Sequence, residues 1–319
     1  MRISLMVPVM PHEPEHLPAY AQLLLDSGAH RLWQGQSLAV ETFQGFAYLA
    51  GQGLRVPVGT SVTLTALRHP YETALQARSL ARLTGHDLVL GLGTGTPELV
   101  AALRGRPYGS PLTAARDQLT ILRGLLDGKP VQHDGRYDSM HGGLPEFEHP
   151  PVSLGLGVLR PGMARVAGEL ADAAITWLTP PSYLGEVLVP ELRAAAGAAG
   201  RAVPRVVTVV QVAVRRPGRD PHLVALNGSR EHLAAPHYTD MLRQAGLRVH
   251  PSQVPLSARA LVHSGTFVTG TLEEIAEGLD RYRAAGVDEV VLNTAGVHLT
   301  EGRAAALADL GELLPALAG

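Results

Sequence analysis

The sequence contains no cysteine among its 319 residues. This absence excludes a disulfide framework, a thiolate zinc site, an iron–sulfur cluster and a cysteine nucleophile, so any redox chemistry requires a bound cofactor. The 27 lysine and arginine residues do not outnumber the 29 aspartate and glutamate residues, and the formal net charge is -2. Without an excess of positive charge or a basic run, nucleic acid and anionic membrane surfaces are poor candidate partners.

Long hydrophobic runs are also lacking, since no window reaches the roughly 18 consecutive apolar residues that a membrane helix requires. The short apolar run at the N-terminus is interrupted by Pro8, Pro11 and Pro14. We interpret this run as a strand with its loop rather than as a signal peptide. We therefore expect a cytoplasmic protein.

Short aliphatic and β-branched runs alternate along the chain with segments whose apolar residues recur at helical spacing. Eight strands are predicted, at 2–9, 30–35, 55–63, 87–93, 152–157, 173–177, 205–214 and 289–293. Helices are predicted near 15–27, 40–52, 70–84, 112–126, 161–170, 182–199, 271–285 and 301–317. The third of these helices is expected to turn Leu75, Leu80 and Leu83 inward.

Eight strands that alternate with helices predict an α/β fold, namely a (β/α)8 TIM barrel formed by a single domain over residues 1–319. The alternation loosens in two places. We expect insertions there, after strand 4 at about 96–150 and after strand 7 at about 215–270. Residues 215–265 are irregular in composition, with many prolines and histidines, and no helix is assigned to them.

The tetrapeptide LGLG occurs twice, at 90–93 and 154–157, each time at the end of a strand. Neither copy completes the dinucleotide-binding pattern G-x-G-x-x-G, because Thr96 and Arg160 stand at the third glycine position. Since the carboxyl ends of barrel strands open onto one face, the two turns are expected to adjoin a shared pocket. The alternative is that these glycines only relieve crowding where strands meet helices.

Four segments resemble, in order and spacing, the luciferase-like superfamily of flavin- and deazaflavin-dependent oxidoreductases. They are RLWQGQS after the second strand, VGTSVTLTALRHPYETALQARSLARLTG through the third, LVLGLGTG at the fourth and SLGLGVLRPGMARVAGELADAAITW across the fifth and sixth. The resemblance covers nearly the whole chain and implies FMN or the deazaflavin coenzyme F420 as cofactor. The segment GTSVT resembles the branch that uses coenzyme F420, in which a bulge with a non-proline cis peptide supports the deazaflavin ring. By position, that peptide joins Ser61 and Val62.

The resemblance also implies further binding residues. Gln36, Thr94 and Gly95 are expected to contact the cofactor, and Trp33 and Trp177 to line the substrate pocket. The phosphate tail is expected near Gly155, Gly157, Val158, Leu159 and Arg160. The residues support this last assignment independently, because the helix that follows points its positive end at an anion and Arg160 adds a charged donor.

The sequence departs from the family at two proton-handling positions. Many members carry an acidic or amide residue and then a histidine after the second strand, whereas this chain has Gln36 and Ser37. A relative that oxidises sugar phosphates has an acid just beyond GTG, where this chain has Thr96. Because removing a hydroxyl proton requires a positioned base, these departures favour reduction of an activated C=C or C=N bond.

The remaining candidate proton donors are His12, His69, Thr96 and Glu98. Histidines 133, 141, 149, 232, 237, 250 and 263 fall in the two insertions, which in this family cover the pocket and set substrate choice. No pair of histidines shows convincing metal spacing with a carboxylate partner, so no metal is predicted.

Together these features predict a homodimeric reductase that depends on coenzyme F420 and acts on a small-molecule or peptide-like substrate. Two alternatives stay open. One is a luciferase-like monooxygenase that depends on FMN. The other is a barrel that binds a ligand without turning it over, which the missing acid and histidine would explain.

Overall fold

The computed structural model describes residues 1–318 and contains a closed barrel of eight parallel strands. The barrel strands are β1 (Arg2–Met6), β2 (Leu32–Gln34), β3 (Val58–Thr60), β5 (Leu88–Gly93), β8 (Val152–Gly157), β9 (Ala173–Trp177), β10 (Arg205–Val214) and β12 (Glu289–Asn293). Each strand pairs with the next, and β12 closes the ring by pairing with β1, where Arg2 lies opposite Glu289. The predicted (β/α)8 barrel is confirmed, and all eight predicted strands are present.

Helices surround the barrel and also form much of the connecting chain. They are α1 (Pro18–Ser27), α2 (Thr42–Gly51), α3 (Pro70–Thr84), α4 (Pro97–Arg104), α5 (Pro111–Leu126), α6 (Pro161–Leu170), α7 (Pro181–Tyr183), α8 (Val189–Ala198), α9 (Pro221–Ala234), α10 (Pro236–Gln244), α11 (Val254–Ser264), α12 (Leu272–Ala284), α13 (Ala295–Glu301) and α14 (Arg303–Ala318). Short 3-10 turns lie at Pro14–His16 and Thr65–Leu67, and a π-helical turn joins α7 to α8 at Leu184–Leu188. Within residues 1–318, every helix is too short or too polar to cross a membrane.

Four short strands complete the secondary structure. Strand β4 (Thr63–Leu64) pairs with β5, and β11 (Val268–Gly270) pairs with β10. Strands β6 (Val131–Asp134) and β7 (Ser139–Gly142) form an antiparallel hairpin between α5 and β8. The chain between β5 and β8 thus holds α4, α5 and this hairpin.

Residues 215–265, to which the sequence pattern assigned no helix, are mostly helical, because α9, α10 and α11 occupy most of this segment. Three of its five prolines lie in the first turns of these helices, namely Pro221 in α9, Pro236 in α10 and Pro255 in α11. The first helical position tolerates proline because its N–H has no partner within the helix. Proline therefore starts these helices instead of interrupting them.

Helix α3 packs inward through small residues. Ala74, Ala77 and Ala81 are fully buried, as is most of Leu80. Leu75 and Leu83 are 41% and 50% exposed. The expectation that they point inward is wrong, because the alanine side of the helix allows closer contact with the barrel.

One large side chain fills the barrel lumen. Trp33 is fully buried there and packs with Met6 and Val89. Strand β3 makes room for it, since a Cβ atom on Gly59 would lie 2.7 Å from Cε3 of Trp33. The indole Nε1 donates to Oε1 of Glu289 at 2.7 Å. The prediction that Trp33 lines the substrate pocket is wrong, because its ring points into the closed lumen.

Candidate active site

A cavity of 690 Å³ lies at the carboxyl ends of the barrel strands. The chain that leaves β1, β2 and β3 contributes residues 6–10, residues 34–37 and Ser61 to its lining. Trp177 at the end of β9 and the start of α13 complete the barrel side. Helix α9 and Tyr238 of α10 cover it from the second insertion. The cavity thus lies on the face where barrel enzymes place their active sites.

The segment after β3 bends beside this cavity. The peptide bond between Ser61 and Val62 is cis, as predicted. The amide of Ser61 donates to the carbonyl of Gln34 at 2.9 Å. Oε1 of Gln36 accepts hydrogen bonds from Oγ1 of Thr63 and the amide of Leu64, both at 3.2 Å. Ser61 and Gln36 line the cavity, and Gln36 also holds the segment that follows the bend.

The glycines of the two LGLG segments lie against the bend at residues 60–62. A Cβ atom on Gly91 would overlap the carbonyl oxygen of Thr60, and one on Gly93 would overlap Cγ2 of Val62. Val62 also occupies the space beside Gly157, since a Cβ atom there would lie 3.4 Å from its Cγ1. These contacts support the alternative that the glycines relieve crowding. Close packing of strands accounts for Gly91 and Gly93, whereas the contacts at Gly157 are of ordinary length and the phosphate contact there stays a prediction.

Gly155 has a similar structural role. A Cβ atom on Gly155 would lie 2.7 Å from Cδ1 of Ile175 and 3.2 Å from Cα of Gly91. Ile175 belongs to the buried cluster in the lumen. The side of Gly155 that a Cβ would occupy faces the barrel interior, and the cofactor contact at Gly155 stays a prediction.

The predicted phosphate site at the start of α6 is only partly available. The amide of Val158 donates to the carbonyl of Ile175 at 2.7 Å, so the prediction that it faces a phosphate is wrong. Leu159 is half-buried and packs against the core. Arg160 is the N-cap residue of α6, and its guanidinium lies 2.6 Å from the carboxylate of Asp240 on α10. The structure leaves Arg160 and the first turn of α6 as the predicted anion-binding features.

The turn after β5 lies on the same barrel face but outside the cavity lining. Thr94 and Gly95 are half-buried, and Gly95 has a φ of 75° that favours glycine. The hydroxyl oxygen of Thr96 accepts from the amide of Leu99 at 3.3 Å and caps α4. Glu98 is exposed in the first turn of that helix. Neither Thr96 nor Glu98 faces the cavity.

The two candidate histidines also lie outside the cavity. His12 is exposed on the loop after β1. His69 caps α3, where Nδ1 accepts from the amide of Tyr71 at 3.2 Å. Its Nε2 lies 3.1 Å from the carbonyl oxygen of Ser139 in the hairpin. Because both ring nitrogens are engaged, His69 joins α3 to β7 and has no access to a substrate in this cavity.

Three aromatic side chains form one side of the cavity, here called the aromatic wall: Trp177, His232 and Tyr238. The rings of Trp177 and His232 stack, with centroids 5.2 Å apart and planes 18° apart. Tyr238 meets His232 edge to face at 4.8 Å. Burial, with a smaller contribution from His237, lowers the pKa of His232 to about 4, so the imidazole is neutral near pH 7.

Sequence reasoning selected Trp177 but not its two partners. Of the histidines in residues 1–318, His232 alone lines the cavity. His232 and Tyr238 lie six positions apart in the segment to which no helix was assigned from the sequence. Recognising α9 and α10 as helices that cover the barrel mouth was the signal needed to find them.

The cavity rim carries charge of both signs. Arg230 and Glu231 line it and are exposed. Arg230 has no ion-pair partner in the described part of the chain. Across residues 1–318, no group of three or more histidine, aspartate or glutamate side chains is arranged to hold a metal ion.

The chain is similar in sequence to a known family and to several characterised proteins. Residues 1–289 match the family described as luciferase-like monooxygenase. Over 183 residues the chain is 29% identical to 5,10-methylenetetrahydromethanopterin reductase of Methanolobus tindarius. This alignment covers 57% of this chain and 56% of that protein. Over 166 residues it is 28% identical to F420-dependent glucose-6-phosphate dehydrogenase of Nakamurella multipartita, with coverage of 50% and 49%. The chain thus spans about half the length of the curated relatives it matches.

A solved structure extends the likeness over the whole barrel. An F420-dependent secondary alcohol dehydrogenase in complex with an F420-acetone adduct superposes with a TM-score of 0.77. The alignment covers 99% of this chain and 98% of that one at 19% sequence identity. At this identity the likeness establishes the fold.

Proposed function

Because the chain belongs to the luciferase-like monooxygenase family, we propose that it is an oxidoreductase that uses coenzyme F420 to reduce a C=C or C=N bond. The substrate class proposed is a small molecule or a peptide-like intermediate. The observation that carries the proposal is the cavity at the carboxyl ends of the strands, bounded by Ser61 and the aromatic wall. A homodimer located in the cytoplasm stays a prediction from the sequence.

The cavity residues fit a flat heteroaromatic cofactor with an anionic tail. Stacked aromatic side chains present the kind of wall that planar ligands prefer. Nε1 of Trp177 is a buried donor beside the cavity, and no acceptor for it is found in residues 1–318. A ligand with acceptor atoms on its ring would satisfy this group. Arg160 at the start of α6 is the proposed partner for the phosphate tail.

When bound, the deazaflavin would supply the hydride. The chain's own contribution is orientation and exclusion of water. Ser61 and Gln36 border the cavity on the side of β2 and β3, and the aromatic wall borders it on the side of β9. The apolar side chains of Met6, Val7 and Val9 at the end of β1 limit the water that reaches the reacting atoms.

Cofactor choice is tested by titrating the purified protein with coenzyme F420 and with FMN. We expect F420 to bind at least tenfold more tightly than FMN. Tight binding of FMN without binding of F420 would support the monooxygenase alternative instead. Binding of neither cofactor would support the barrel that only holds a ligand.

The same titration tests the proposed anion partner. Replacing Arg160→Gln is expected to weaken F420 binding about tenfold, because a hydrogen bond to a charged group contributes about 1.5 kcal/mol. Replacing Asp240→Asn is expected to strengthen binding by a few fold, since it releases Arg160 from its ion pair. Arg165→Gln is the control, because Arg165 lies on the same helix and pairs with Glu191 instead. Equal binding by all three variants would remove Arg160 from the site.

A further inference from the structure

We infer that His232 hydrogen-bonds to the substrate and relays the proton that completes its reduction. This inference rests on the proposed function and deepens it by naming a residue that contacts substrate. It places proton handling on helix α9 of the second insertion, away from the loops after β2 and β5. The two family positions there are Ser37 and Thr96, which hold a hydroxyl group in place of a histidine or an acid.

The other ionisable residues of the cavity are poorly suited to this role. Arg230 and Glu231 stand exposed at the rim. Arginine also holds its proton at any pH that a protein tolerates. Burial raises the pKa of Tyr238, so its hydroxyl is a weaker acid than an ordinary tyrosine. His232 remains as the enclosed group that can both donate and accept.

The geometry around His232 fixes its ring while leaving its nitrogens available. Stacking on Trp177 and the edge of Tyr238 hold the imidazole plane from two directions. Neither ring nitrogen of His232 has a hydrogen-bond partner among the side chains and backbone of residues 1–318. Neither nitrogen is among the buried side-chain atoms that lack a partner, so both have surface open to the cavity that His232 lines. A substrate in this cavity can therefore reach a donor and an acceptor on a ring that is held in place.

The protonation state of the ring suits a relay. The groups that face it are Trp177, Tyr238 and His237, with Glu231 preceding it on α9. None of these groups stabilises the protonated ring enough to offset burial, which lowers the pKa of His232. The imidazole therefore stays neutral near pH 7. A neutral imidazole has one N–H donor and one acceptor nitrogen. It can therefore give one proton to the substrate and receive another from water.

For a conjugated C=C bond the step balances as follows. Reduced coenzyme F420 would supply the hydride and be oxidised, a new C–H bond would form at the β-carbon, and the displaced electron pair would move through the conjugated system to the carbonyl oxygen. That oxygen takes the proton from the N–H of His232 while water in the cavity gives a proton to the other ring nitrogen, so no imidazolate forms. The hydroxide left by the water is neutralised in bulk solvent, and the substrate has gained one hydride and one proton. The enol formed then converts to the saturated ketone.

The first test measures turnover of cyclohexenone, used as the enone probe, with reduced coenzyme F420. His232→Phe keeps an aromatic ring on Trp177 but removes both nitrogens, and we expect kcat to fall about 100-fold. The affinity for F420 should stay within about twofold. His232→Gln restores a donor and should recover part of the lost rate. His86→Phe, at an exposed histidine that precedes the amino end of β5 and is remote from the cavity lining, should match the wild type.

A second measurement needs no cofactor. In protein labelled with nitrogen-15 at histidine, the His232 signals are identified by their absence from His232→Phe. We expect them to shift when cyclohexenone is added, and to titrate with a midpoint near 4. A phenylalanine variant with wild-type kcat, or signals that do not move at saturating cyclohexenone, would overturn the role of His232. Failure of the wild type to bind F420 would instead overturn the proposed function, while the enone titration still decides on the histidine.

Discussion

Replacing Trp33→Ala is expected to lower the free energy of unfolding by about 4 kcal/mol. Trp33 is fully buried in the lumen, where it packs beside Gly59 and donates to Glu289. Alanine would leave a large void inside a ring of paired strands that cannot collapse around it. It would also remove one of two donors to Oε1 of Glu289, leaving only the hydroxyl of Ser4 at 2.6 Å.

Denaturation in urea measures this effect. Trp33→Phe is the matched variant, because it keeps most of the ring and removes the N–H group. We expect it to cost about 1 to 3 kcal/mol, the usual penalty for leaving a buried polar group with fewer partners. If Trp33→Ala unfolded within 1 kcal/mol of the wild type, the ring would not be the centre of the lumen packing.

Replacing Gly91→Ala is expected to cost about 3 kcal/mol of stability and to weaken cofactor binding. A Cβ atom there would overlap the carbonyl oxygen of Thr60 and approach Cδ1 of Ile175. Because Thr60 precedes Ser61, backbone movement at this point would shift the side of the cavity that Ser61 forms. The loss should therefore appear in both urea denaturation and F420 titration.

Gly197→Ala is the control for the glycine substitution. Gly197 lies within α8, and no atom lies within 4 Å of the position its Cβ would take. Alanine is there expected to stabilise the protein by roughly 0.5 to 1 kcal/mol, because glycine is a poor helix former. Equal effects at Gly91 and Gly197 would show that the close approach of β3 to β5 does not require glycine.

The barrel could be predicted from the sequence because its signal is repeated. Most of the strand-like runs, such as AAITW at 173–177, are short and are followed by a helical pattern. Parallel strands buried on both faces form such continuous apolar runs. The orientation of Trp33 could not be predicted, because a strand that is apolar on both faces does not show which side chains point into the lumen.

The candidate site was predicted in part. Ser61, Gln36 and Trp177 lie at the ends of barrel strands, so their places on one face followed from the fold. His232 could not be placed in this way, because its contact with Trp177 depends on how α9 folds back over the barrel mouth. The prediction at Val158 failed for a different reason. The glycine-rich turn before α6 resembles an anion site, but the amide of Val158 donates to the carbonyl of Ile175 and is not available to an anion.

Anaerobic mixing of the protein with reduced coenzyme F420 and cyclohexenone tests the proposed hydride transfer most directly. We expect the absorbance of the oxidised deazaflavin to return while the saturated ketone forms in equal amount, with no requirement for oxygen. No reaction in this anaerobic mixture, together with oxygen consumption in an aerated mixture that contains reduced FMN, would contradict a reductase and identify the chain as a monooxygenase.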